Sequence, residues 1–265
     1  ALGWLWPRIQ APLYATPFTA FLIRQKLRDA GIYEDVELHE APLGSTVNLG
    51  PFEVTYVTIT HSIAEPNGLA IKTPLGTVLH TGDWKIDNDP VVGERTDVDF
   101  IQKLGDEGVL AMVCDSTNVF VDGVAGSEGD VKVKLAELIQ GLKGRVAVGC
   151  FASNVARMHS VISAAEAAGR RVALAGRSMH RITAAAKSVG MLNDIKPFLS
   201  EQEAKVWPAD EILYLCTGSQ GEARAALSRV AEGTHPFIKL GEGDHCIFSS
   251  RVIPGNELSI GRLQD

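Results

Sequence analysis

No run of roughly 18 uncharged apolar residues occurs in the chain, so the sequence offers no candidate for a membrane-spanning helix. Cysteine is scarce: Cys114, Cys150, Cys216 and Cys246 are the four in 265 residues, and they lie far apart. That spacing fits neither a CxxC metal knuckle nor a compact disulfide framework, and it predicts buried, reduced thiols in a cytoplasmic protein. The opening Ala-Leu-Gly-Trp-Leu-Trp-Pro-Arg lacks the basic, apolar and small-residue order of a signal peptide. No G-x-G-x-x-G follows a strand and no G-x-x-x-x-G-K-[ST] occurs, which removes the usual phosphate grips of dinucleotide and P-loop enzymes. Gly218-Ser219-Gln220-Gly221 lacks the residue that a nucleophile elbow needs between Gly and Ser, which argues against a serine hydrolase.

Positive charge is also short. The net charge is −7, and it is uneven: 8 Lys/Arg stand against 16 Asp/Glu through Val121, and 17 against 16 from Asp122 onward. Neither half carries the basic footprint of a duplex-DNA binder, so any nucleic-acid contact must use a local cleft.

What is present reads as two α/β domains. In the first, Thr16 is placed to cap a helix with Pro17 at its first position and Gly31 as its stop. From Pro51 to Asp83, short β-rich runs alternate with Gly/Pro turns and suggest a meander. The apolar run Val109–Asp115 is expected to be a strand buried on both faces. In the second half, three strand-like runs each lead through a small polar loop into a helical pattern. That repetition predicts βα units on a parallel sheet. The seam is expected near 120–129, giving domains of 1–121 and 122–265.

His61 and Asp83 follow two strands of the meander. Taken singly, a histidine after a strand is commonly an ordinary surface or core residue, and Asp after Gly is a common turn pair. Taken together, a neutral imidazole and a carboxylate at one sheet edge are metal-ligand chemistry. His80 sits in strand alternation with Leu79 and Thr81 and is read as structural. In the second half, ligands of parallel α/β sheets bind beyond the carboxyl ends of the strands. The loops expected there carry Ser153, Asn154, Arg177, Ser178, Ser219, Gln220, Ser249, Ser250 and Arg251. Hydroxyls, amides and guanidinium groups suit phosphate. For any one such loop a tight βα turn is the better explanation; four on one edge shift the balance towards a site.

Several strings together resemble one family. Thr60-His-Ser62, His80-Thr-Gly-Asp-Trp-Lys-Ile-Asp87, Asp115-Ser-Thr-Asn118, Phe151-Ala-Ser-Asn154, Gly176-Arg-Ser-Met179 and Cys216-Thr-Gly-Ser-Gln-Gly-Glu222 are similar to bacterial ribonuclease J. That family belongs to the metallo-β-lactamase superfamily, in the branch with an inserted β-CASP domain. The resemblance implies a partial αββα metallo-β-lactamase core followed by a β-CASP domain with a parallel sheet flanked by helices. It implies a two-zinc ribonuclease, acting as a 5′→3′ exonuclease and endonuclease on 5′-monophosphorylated single-stranded RNA, without a membrane and as a homo-oligomer when intact. By the same resemblance His61 is a ligand of one zinc, Asp83 bridges both, and Asp115 supports the site from behind. The Ser249-Ser250 loop is the candidate grip on the 5′ phosphate, with Asn154, Ser178, Ser219 and Gln220 as further substrate contacts.

The family's His-x-His-x-Asp-His string occurs nowhere in the sequence. The resemblance therefore leads to the expectation of an internal piece with an incomplete site and little or no nuclease activity. Two other readings stay open: a metallo-β-lactamase-fold hydrolase of a small molecule, and a non-catalytic module that binds RNA or nucleotides.

Overall fold

The structure, a computed structural model, describes residues 2–265. It divides into two compact units, Ala1–Ser127 and Glu128–Asp265. Ser127 stays with the first because its hydroxyl donates to Asp87 Oδ1 and to the Asp89 carbonyl, both at 2.8 Å.

The first unit begins with α1 (Leu2–Ile9), β1 (Leu13–Ala15) and α2 (Pro17–Asp29). Thr16 is the N-cap of α2 and Pro17 its first residue, as the sequence predicts, and Gly31 follows with a left-handed φ of 71°. Next come β2 (Leu38–Glu40), β3 (Thr46–Leu49), β4 (Phe52–Thr58), β5 (Asn67–Thr73), β6 (Gly76–His80), α3 (Val98–Glu107) and β7 (Ala111–Val113). Strand β1 pairs with β2. The other five form one sheet in the order β3-β4-β5-β6-β7, antiparallel until β7 joins β6 in parallel. Val57, Ala70 and Leu79 point to one face and bury against Leu104 of α3.

One expectation fails here. The run Val109–Asp115 forms β7, but all three of its residues are exposed, with Met112 at 60 % and Val113 at 53 %. An apolar run shows that a strand is present, not which neighbours cover it; β7 is the outer strand among the described residues, with β6 on one side.

The second unit contains α4 (Glu128–Gln140), β8 (Val146–Gly149), α5 (Val155–Ala167), β9 (Arg171–Ala175), α6 (Arg177–Ser188), α7 (Glu201–Val206), β10 (Ile212–Cys216), α8 (Ala226–Ala231), β11 (His245–Phe248) and α9 (Glu257–Gln264). All four strands are parallel, in the order β11-β8-β10-β9. Alternation sends Val146, Val148, Val172, Leu174, Leu213 and Leu215 into a core with residues of α4 and α5. It sends Ala147, Ala173, Ile212 and Tyr214 into a second core with Ala204 of α7, Leu227 of α8 and Ile238. Helices on both faces bury every residue of β8 and β10, which explains their unbroken apolar sequence.

All four thiols are free. Cys150 and Cys216 are buried as expected, and burial pushes the Cys150 thiol up to about 12. Cys246 corrects the expectation: it lies exposed on the edge strand β11, and Cys114 is half-buried. No helix is long and apolar enough to cross a membrane among the described residues.

Candidate active-site edge and basic cleft

Strands β4 and β6 are both antiparallel to β5, and β7 is parallel to β6, so the carboxyl ends of β4, β6 and β7 share one edge. His61, Asp83 and Asp115 follow those three ends. The chain holds them through a hydroxyl network. Thr60 is buried at 3 %; its hydroxyl donates to the Lys85 carbonyl at 2.5 Å and accepts the Asp87 amide at 3.1 Å. The Thr60 carbonyl accepts the Lys85 amide at 3.0 Å, completing a bridge between the segments that carry His61 and Asp83. Asp87 is buried too, and its carboxylate pairs with Lys85 Nζ at 2.8 Å.

Asp115 is joined to the same edge by Thr81, whose hydroxyl accepts the Asp115 amide at 3.1 Å. The Asp115 carboxylate accepts the hydroxyl and the amide of Thr117 at 2.6 and 2.9 Å. Those bonds hold its pKa below the usual carboxylate range, and the nearby His61 pulls it the same way. Trp84 Nε1 donates to the Asp115 carbonyl at 3.4 Å. Gly82 makes the turn to Asp83 with φ 62° beneath the Asn67 carbonyl, where a Cβ would come within 3.1 Å.

Zinc takes three or four protein ligands. Among the described residues no three His, Cys, Asp or Glu side chains converge into a group that could hold a metal. His61 and Asp83 are thus too few donors for zinc by themselves. His80, read as structural, is exposed and accepts the Gly82 amide through Nδ1 at 3.1 Å.

In the second unit the carboxyl-edge residues divide into two sets. Asn154, Gln220, Ser249 and Ser250 make internal bonds. Asn154 caps α5 by accepting the Arg157 amide at 2.9 Å and donates to Glu128 at 3.3 Å. Arg157 pairs with Glu128 and donates through one nitrogen to the carbonyl and hydroxyl of Ser249 at 2.8 and 3.0 Å. Gln220 is buried; its amide donates to Ser250 Oγ and the Arg251 carbonyl, and its oxygen accepts the Ile253 amide at 2.9 Å. Ser219 is buried at 2 %.

The second set is exposed. Gly176 caps α6 with φ 111°, so the helix starts at Arg177, directly after the cap. Arg177 and Ser178 therefore stand in its first turn, exposed, on a cleft of about 880 Å³. Arg224 and Arg229 line the same cleft, facing Glu201 and Glu222. The two arginines were missed in the sequence because no spacing rule joins residues after β10 to residues after β9; adjacency of those strands in the sheet does. His235 closes one side. Its Nδ1 accepts the amides of Phe237 and Ile238 at 3.4 and 3.2 Å, and burial lowers its pKa against the opposing effect of Glu201.

Residues 143–265, which hold this parallel sheet and its carboxyl-edge loops, match the family model described as Ribonuclease J, beta-CASP domain, a domain of the metallo-β-lactamase superfamily. The chain belongs to the ribonuclease J family. It is 46 % identical to ribonuclease J of Sinorhizobium meliloti over 265 residues, all of this chain and 47 % of that protein. It is 40 % identical to ribonuclease J 1 of Streptococcus pyogenes over 95 % of this chain and 45 % of that one, and 34 % identical to ribonuclease J2 of Bacillus subtilis over 97 % and 47 %. The chain thus spans about half the length of the curated relatives it matches. A crystal structure of a protein of unknown function from Enterococcus faecalis V583 has the same fold, with TM-score 0.58 and 15 % identity over 89 % of this chain and 65 % of that one.

Proposed function

We propose that this chain serves a ribonuclease acting in the cytoplasm on 5′-monophosphorylated single-stranded RNA, with both exonuclease and endonuclease activity. The delivery of His61, Asp83 and Asp115 to one edge by three strand ends carries the reading. In that role Ala1–Ser127 is part of a metallo-β-lactamase core. His61 and Asp83 are two donors to a two-zinc centre, which would activate water for phosphodiester hydrolysis. Asp115 holds the edge through Thr81 and Trp84, and the arginines at the α6 cleft take backbone phosphates, as guanidinium groups suit.

Two donors hold zinc weakly. Cleavage of a 5′-monophosphorylated RNA by this chain with zinc should therefore be slight, and His61→Ala or Asp83→Ala should weaken zinc uptake further, read by calorimetry. Tight zinc binding that ignores both substitutions would refute their role as ligands. A second reading, an RNA-binding module without catalysis, is favoured by the exposed Arg177, Arg224 and Arg229 together with the short donor set. RNA binding that needs no metal and survives both substitutions while cleavage stays nil would favour it.

A further inference from the structure

The second unit has another cleft, of about 710 Å³, at the opposite edge of the sheet. Arg145 precedes β8, Ala209 precedes β10 and Asp244 precedes β11, so this cleft lies at the amino ends of the strands. The α6 cleft lies at the carboxyl ends, where Gly176 follows β9 and Thr217 follows β10.

Its electrostatics favour an anion. Arg145 and Asp244 satisfy each other: the Asp244 carboxylate accepts the Arg145 amide at 2.7 Å and sits 3.7 Å from its guanidinium. That leaves Lys143, Lys205 and Lys239 against Glu242. The three lysines come from separate places, namely the turn before β8, helix α7 and the segment before β11. None makes an ion pair among the described residues. A solvated helix face would explain lysines in one run; it does not explain three stretches bringing unpaired charge to one hollow. The whole unit holds 17 Lys/Arg against 15 Asp/Glu, so the local excess is not spill-over from a basic domain.

Phe237 borders both clefts. The segment carrying it crosses the sheet: Ile238 is fully buried in the core that contains Tyr214, Ile212 and Ala204. Helix α7 runs the same way, with Glu201 and Gln202 on the α6 cleft and Lys205 on the other. The two clefts are therefore consecutive stations on one face, with a half-buried aromatic ring between them. A five-residue strand such as β10 is roughly 16 Å long, about the length of five stacked nucleotides. Exposed lysines as point charges and an aromatic platform form the arrangement that binds single-stranded nucleic acid without reading sequence.

We infer that Lys143, Lys205 and Lys239 form a second contact for single-stranded RNA, continuous through Phe237 with the cleft at α6. The inference rests on RNA being the ligand of this chain. Fluorescence anisotropy with the full chain and labelled oligouridylates of about 3 and 12 nucleotides tests it, the lengths chosen to fall below and above the five-nucleotide span. The longer oligomer should bind more tightly. The triple substitution Lys143→Gln, Lys205→Gln, Lys239→Gln should weaken it roughly tenfold and make its salt slope shallower by about 2, leaving the short oligomer unaffected. Phe237→Leu should reduce the same length advantage at unchanged salt slope. Circular dichroism checks that the variants fold, which the exposure of the lysines favours. If the triple variant keeps both the length advantage and the salt slope of the parent, the second contact does not exist. If the parent binds neither oligomer, the RNA reading falls and takes this inference with it.

Discussion

Thr60 and Asp87 are joined through a single hydroxyl: the Thr60 oxygen accepts the Asp87 amide while its proton goes to the Lys85 carbonyl. Thr60→Val keeps the shape and removes the hydroxyl partner of two backbone groups, the buried Asp87 amide and the part-buried Lys85 carbonyl. Each such group costs roughly 1–3 kcal/mol, so a loss of about 3 kcal/mol is expected in urea denaturation of the first unit. A change within ~0.5 kcal/mol would mean that the network does not hold this edge.

Arg157→Met should act on the second unit. Arg157 and Glu128 are largely buried, with side chains 14 % and 9 % exposed, 2.9 Å apart. Removing one partner of such a pair costs roughly 3–5 kcal/mol because the other charge is stranded. Adding Glu128→Gln should restore part of the loss, and a double-mutant cycle by chemical denaturation measures the coupling. Additive losses would contradict the pairing.

The two networks show where the sequence is readable. The meander, the α2 cap and the βα repeats follow from periodicity and turn residues, because those are local. The fates of Gln220 and Ser249 are not local. Gln220 reaches Ile253 across 33 positions and Ser249 is held by Arg157 across 92, so the bonds that brace these loops have no local signal. Arg177 and Ser178 remain at the surface, in the first turn of the helix that Gly176 caps. The exposure of β7 and Cys246 depends on which strands lie at a sheet edge, which periodicity does not encode.

His235 makes stability depend on pH. Its folded pKa lies below the ordinary 6.5, so the unfolded chain binds the proton more readily. Stability is then complete above 6.5 and falls as pH drops towards the folded value. Thermal melts across that range should show the decline, and His235→Gln should flatten it. A slope unchanged by that substitution would assign the effect to other groups.

Gly221→Ala should be costly. Gly221 has φ 75°, and a Cβ there would meet the Ser259 backbone at 2.6 Å, so a left-handed residue and a clash with α9 arise together. About 3 kcal/mol is expected, checked by thermal or urea unfolding of the variant.

Chelation gives a contrasting case. With no three metal-holding side chains converging among the described residues, EDTA should shift the melting temperature by less than ~1 °C. A larger drop would show that the fold relies on a bound ion.

Strand β7 bears on whether copies of this chain would pair. One side of it is hydrogen-bonded to β6, and its exposed Met112 and Val113 stand beside exposed Leu110, with exposed Val119 and Phe120 further along the chain. An apolar edge of this kind templates another strand. The unit that carries it has 8 Lys/Arg against 17 Asp/Glu, a net negative charge that opposes the approach of a second copy. Salt screens that repulsion over about 10 Å at 0.1 M and leaves the apolar edge unchanged. If copies of this chain pair through that edge, raising the ionic strength should promote the pairing.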